Sequence, residues 1–156
     1  MAILTTFFTT IQIIPQERRS YKSEYIKTAV ILEYHIKNQN MTLEFPNITL
    51  TINDFKYLIK GIREYIKTLP ARPLYSEDVF MFTPFEIDFL LELSDGFYMN
   101  EDYQEGYVTF DFNICLGSLG LRSSGDRIGC TLRINIDTLL VFSNNLEQEL
   151  NEVLSL

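Results

Sequence analysis

The chain has 156 residues, 46% of them hydrophobic and 22% charged, which suits one soluble domain able to bury a core without staples. A net charge of −8 argues against a nucleic-acid binder, whose phosphate contacts need clustered cations, and against docking on an anionic membrane. Two cysteines, Cys115 and Cys130, are too few for a disulfide framework and are expected as reduced thiols in a cytosolic protein.

The charge is unevenly spread. Residues 1–72 hold ten basic and six acidic side chains, whereas residues 73–156 hold three and fifteen. Between Arg72 and Arg122, 49 residues pass without a lysine or arginine, yet they carry ten carboxylates and eleven of the 21 aromatic residues. Acidic composition by itself marks disorder or a solvating tail. Carboxylates threaded through apolar and aromatic positions predict instead a rigid, one-signed surface suited to a basic partner.

No apolar run reaches the length of a membrane span. Met1 to Ile14 lacks the basic start of a signal peptide, and its threonines alternate with hydrophobes, so it reads as an N-terminal strand. Gln16 to Lys22 reads as a polar, mobile connection. Ala29 to Lys37 alternates Val30, Leu32, Tyr34 and Ile36 against Ile31, Glu33, His35 and Lys37, the pattern of a half-buried strand. Its expected partner is Met41 to Phe45, across the turn Asn38-Gln39-Asn40. From about 53 to 69, Phe55, Leu58, Ile59, Ile62, Ile66 and Leu69 recur at helical spacing. Thr51 with Asp54 resembles a capping box, and Pro70 stops the helix. Lys56, Lys60, Arg63, Glu64 and Lys67 read as its solvated exterior.

Beyond Pro73, strands dominate. Asp78 to Phe82 and Glu86 to Leu93 are separated by Thr83-Pro84, and Asp95-Gly96 marks the next turn. Tyr107 to Leu116 turns Val108, Phe110, Phe112, Ile114 and Leu116 one way, and Ile128 to Ile136 turns Ile128, Cys130, Leu132, Ile134 and Ile136 inward. The two should form a hairpin with one wet face. A second helix, about 137–154, has Asp137 as its cap and Leu139, Phe142, Leu146, Leu150 and Val153 as its stripe. Ser143-Asn144-Asn145 is its weak spot, where a fresh start capped by Asn144 with Glu147 is the alternative. No internal repeat is visible. The order strands, helix, strands, helix predicts a single α+β domain over residues 1–156, built on mostly antiparallel sheet, sandwich or half-barrel-like.

Catalytic signals are weak. His35 is the one histidine and shares a strand face with Glu33 and Lys37, a rim position. Cys130 points with the hydrophobes, as a small core residue does. One histidine and two distant cysteines cannot supply a typical zinc site. Gly117-Ser118-Leu119-Gly120 lacks the Lys-Ser/Thr ending of a phosphate loop, so no cofactor is expected. Glu86, Asp88 and Glu92 fall on one strand face at a spacing that could pair carboxylates, but any solvent-facing strand produces it. The remaining constellation is Gly96 to Tyr107, where tyrosines suited to anchoring an interface alternate with acids that steer a basic partner.

Met41-Thr42-Leu43-Glu44-Phe45, Thr51 to Leu58, Gly106 to Phe112, Leu132 to Asp137 and Leu146-Glu147-Gln148-Glu149-Leu150 together resemble the cell-wall-associated type of immunity protein found beside bacterial polymorphic toxins. The resemblance covers residues 24–154 and leaves residues 1–23 without a counterpart. It implies a non-catalytic, cytoplasmic protein that neutralises a cognate, basic toxin domain, with no nucleic acid or membrane as partner. The family offers no catalytic residues to carry over. Asp95, Tyr98, Glu101, Asp102, Tyr103 and Glu105 are the expected partner-binding residues. Two other readings stand beside it. One is a small-molecule-binding or enzymatic domain with a pocket between sheet and helices, among Phe80, Phe82, Phe89, Phe110 and Phe112. The other is a homo-oligomeric structural protein joined through an exposed apolar N-terminal strand.

Overall fold

The computed structural model describes residues 1–6, 8–18, 20, 23–71, 78–84, 89–99, 105–115 and 126–156. Its α+β architecture consists of two four-stranded antiparallel meanders, each followed by a helix. The first comprises β1 (Ile3–Thr5), β2 (Thr9–Arg18), β3 (Tyr25–Ile36) and β4 (Gln39–Thr51), leading into α1 (Ile52–Thr68) and a 3-10 turn (Leu69–Ala71). The second comprises β5 (Phe80–Phe82), β6 (Phe89–Tyr98), β7 (Gly106–Cys115) and β8 (Arg127–Asn135), leading into α2 (Ile136–Ser155).

Residues 1–14 are a hairpin rather than one strand, with Leu4 opposite Ile11 and Thr5 opposite Thr10. Leu4, Ile11 and Ile13 are fully buried and complete the core, while Met1 and Phe8 at the ends of this hairpin are exposed. Polar Gln16 to Arg18 belong to β2, which continues past a bulge between Pro15 and Glu17 by pairing with Lys27 and Ile26. Of the expected connection, Arg19, Tyr21 and Lys22 lie outside the described residues. The β3–β4 register is the expected one, with Leu32 opposite Leu43 and Tyr34 opposite Met41. Its turn is tighter than composition suggests: Ile36 already faces Gln39, and Lys37 takes the left-handed conformation at φ 55.

At the start of α1, Thr51 Oγ1 accepts from the Asp54 N–H (3.0 Å) and Asp54 Oδ2 accepts from the Thr51 N–H (2.8 Å), the reciprocal box expected there. The expected stripe is buried, and Tyr65 joins it. Gly61 lets β5 approach, because a Cβ there would lie 2.1 Å from the Phe80 ring. At α2 the cap is Asn135, not Asp137: Asn135 Oδ1 accepts from the Asp137 N–H at 2.8 Å. A capping oxygen serves an N–H two or three residues ahead, so the residue before Ile136 takes the role. The helix runs unbroken through Ser143-Asn144-Asn145. Arg63 of α1 donates to Asn144 Oδ1 and to Glu147 Oε2, both at 2.7 Å, which fastens that turn to its neighbour.

The helices are exchanged between the halves. α2 packs along β1 and β2, α1 packs on β5 and β6, and the two helices pack on each other. Phe82, Phe89, Phe112 and Phe110 form a chain of rings across the inner face of the second sheet, with successive centroids 5.6, 5.1 and 6.5 Å apart. The Tyr34 hydroxyl donates to the Gly129 carbonyl at 3.1 Å, joining β3 to β8. The buried side chains of both sheets and both helices form one continuous cluster.

Candidate functional site

Alternation along the second sheet decides what its outer face carries. Glu92, Ser94, Thr109, Asp111, Thr131 and Arg133 stand between the buried Leu91, Leu93, Val108, Phe110, Phe112, Leu132 and Ile134. Across the strands, Glu92 faces Asp111 and Asp111 faces Thr131, whose hydroxyl donates to Asp111 Oδ1. One pair along, Ser94 faces Thr109 and Thr109 faces Arg133; the next row is Phe97, Tyr107 and Asn135. Directly opposed carboxylates destabilise a sheet, so the Glu92–Asp111 pair carries a cost that folding alone does not require.

Asp95-Gly96, expected as a turn, is a bulge inside β6, where the pairing slips between Ser94 and Phe97. Asp95 takes φ 49, a region that aspartate tolerates better than most residues. The Gly96 N–H donates to Tyr65 Oη at 3.1 Å, and a Cβ on Gly96 would lie 2.5 Å from Leu69 Cδ2. The dipeptide does bend the backbone, but the strand continues because Phe97 and Tyr98 find partners in Tyr107 and Gly106. The extra residue shifts the alternation, turning Phe97 outward and Tyr98 inward.

Phe97 and Tyr107, with ring centroids 6.3 Å apart, hold the guanidinium of Arg133, whose Cζ lies 5.0 and 5.1 Å from the two rings. At an exposed position such stacking is worth about 0.5–1 kcal/mol. The Tyr107 hydroxyl donates to Glu105 Oε1 at 2.9 Å. That bond, and then the Glu105 charge, push the hydroxyl above the usual phenol range, with Arg133 opposing them. Arg133 makes no ion pair with a described carboxylate.

The expected binding residues are distributed unevenly over this geometry. Asp95 is exposed on the bulge, and Glu105 is exposed beside Tyr107, its carbonyl accepting the Met99 N–H at 2.7 Å. Tyr98 is half-buried on the inner side next to Gly106, where a Cβ would lie 2.8 Å from Tyr98 Cδ1. Burial, and then the Asp137 charge, raise its hydroxyl above the ordinary value. Glu101, Asp102 and Tyr103 lie outside the described residues. Sequence reasoning missed Arg133, although its place between inward Leu132 and Ile134 already turns it outward.

Elsewhere, His35 sits on the rim, with Nε2 3.3 Å from Thr10 Oγ1 and Nδ1 3.1 Å from Asn40 Oδ1. Burial, and then the Asp111 charge, push the Cys130 thiol up to about 11, which suits a packing residue better than a nucleophile. Glu86, Asp88 and Gly117 to Gly120 lie outside the described residues. Among the described residues no group of three or more His, Cys, Asp or Glu could hold a metal ion, and no helix is long and apolar enough to cross a membrane. Between α1 and β5 runs an open groove of about 260 Å³, lined by Tyr57, Lys60, Gly61, Tyr65 and Phe80 among others. The chain matches no protein-family model, no curated protein and no solved structure.

Proposed function

We propose that this is a non-catalytic, cytoplasmic, immunity-like protein that binds and neutralises a basic toxin domain. The docking surface is the outer face of β6 to β8 together with the segment 100–105. The supporting observation is the face itself: Glu92, Asp111 and Glu105 stand with Phe97 and Tyr107 on one side of a sheet whose other side is packed solid. A rigid scaffold presents these groups with little ordering cost on binding, and an excess of carboxylates over the arginines Arg127 and Arg133 speeds the encounter with an oppositely charged cleft. Exposed aromatics beside the carboxylates supply the apolar contact that holds a complex once formed.

The test is a triple charge reversal, Glu101→Lys with Asp102→Lys and Glu105→Lys. Titration calorimetry would measure its binding to the catalytic domain of a toxin encoded directly beside this chain, at low salt. The variant should keep its thermal transition and lose roughly 100-fold or more in affinity, as close charge pairs across an interface do. Undiminished affinity would remove the charged loop from the interface. The groove of about 260 Å³ between α1 and β5 supports the small-molecule reading less well, being open and below the roughly 300–1,000 Å³ of typical ligand pockets.

A further inference from the structure

The group that occupies a site shows what the site accepts. The Phe97–Tyr107 ring pair already holds a guanidinium, and that guanidinium comes from the far strand of the sheet. Arg133 stands opposite Thr109, one pair along from Tyr107, so its side chain must lean along the sheet and cross β7 to lie over Phe97 of β6. It remains exposed there and pairs with no described carboxylate, although Glu105 is hydrogen-bonded to the rim of the same ring. A stacked cation in open water is weakly held. A guanidinium delivered by a second protein would lose its water on docking, stack on the same rings and approach Glu105 from outside, gaining a charge-assisted bond as well.

We infer that Phe97, Tyr107 and Glu105 form an arginine-receiving site, that Arg133 fills it in the free chain as a placeholder, and that the partner is a protein presenting an arginine which displaces it. Only the identity of that partner as a toxin rests on the function proposed above. Charge complementarity favours a cationic occupant: residues 73–156 carry fifteen acidic and three basic side chains, Glu105 is hydrogen-bonded to Tyr107, and the opposed Glu92 and Asp111 stand two rows along the same face. Arginine suits it better than lysine, because a planar, weakly hydrated guanidinium stacks on rings and forks onto a carboxylate, while an ammonium keeps its water. Arg133 has the same charge as the incoming group, so its removal should strengthen binding.

The probe is the blocked peptide acetyl-Gly-Arg-Arg-Gly-amide, compared with its lysine counterpart of equal charge, titrated into the full chain at low salt and followed by NMR. The arginine peptide should give saturable shifts at Phe97 and Tyr107 and bind at least about threefold tighter than the lysine peptide. Arg133→Gln and Arg133→Thr, both suited to an exposed strand, should each bind the arginine peptide several-fold tighter than the parent. Phe97→Thr combined with Tyr107→Thr should erase the arginine preference, whereas Tyr107→Phe, which keeps both rings, should retain most of it. Equal affinity for the two peptides, no saturable binding, or weaker binding by both Arg133 variants would overturn the inference. Such a failure is separable from that of the toxin-binding proposal, which the charge-reversed chain tests against the toxin domain itself.

Discussion

Cys130 shows how far one side chain's surroundings set its chemistry. It faces Phe112 across β7 and β8, half-buried, and burial followed by the Asp111 charge lifts its thiol from 9.0 to about 11. The folded chain therefore holds this proton more tightly than the unfolded chain. Below about pH 9 the contribution is fully present; between about pH 9 and pH 11 the unfolded chain deprotonates first, and stability falls as pH rises. A shift of that size lowers the thiolate fraction roughly 100-fold near pH 8. Alkylation of Cys130 by iodoacetamide at pH 8 should accordingly be slower by about that factor in the folded chain than in urea. Cleavage after Arg127 and Arg133 separates Cys130 from Cys115, so mass spectrometry reads it alone. Similar rates in the two states would mean that the thiol is not shielded. The inward place of Cys130 was legible in the sequence because alternation needs only neighbours two residues apart. The place of Arg133 was half legible: its outward direction was, but not the two rings it reaches, which come from other strands.

At the scale of elements, local chemistry specified what was local. The Thr51–Asp54 box and the alternation of β7 needed no tertiary information, and both are present as expected. Asp95-Gly96 needed more, since the same dipeptide ends a strand or bulges one according to whether the following residues find partners. Here Tyr107 and Gly106 are those partners, and Tyr65 accepts the freed Gly96 N–H. The bulge makes a direct prediction. Asp95→Val places a β-branched residue at positive φ and should destabilise the chain by about 1–2 kcal/mol in urea unfolding, whereas Asp95→Gly should not destabilise it. Equal effects of the two would show that the left-handed conformation at residue 95 is not under strain. The cap of α2 illustrates the opposite limit. Asn135 and Asp137 are both good capping residues, and only the place where β8 stops pairing chooses between them.

For the whole molecule, the exchange of helices is the dominant fact. The sequence shows no repeat, yet the architecture is repeated: four antiparallel strands and a helix, twice, with each helix covering the other half's first two strands. Side-chain identities and strand lengths differ between the halves, so nothing periodic survives in the sequence, while the layering follows from each sheet needing an apolar cover. Residues 1–74 and 75–156 produced separately should therefore each lack a cooperative thermal transition, because α1 would leave with the wrong sheet. Mixed in equal amounts they should recover it, measured by near-ultraviolet circular dichroism. A sharp transition in either fragment alone would show that one half closes its own core.

The reciprocal arrangement also constrains the order of events during synthesis. The strands β1 and β2 leave the ribosome well before α2, the helix that packs along them. Until then Leu4, Ile11 and Ile13 lack the cover they have in the finished fold. The core of the first sheet therefore closes only after α2 has emerged, in keeping with the expected lack of a cooperative transition in residues 1–74 alone. Docking of α2 is the step that covers it, and chaperone binding before that step would act on the inner face of the first sheet.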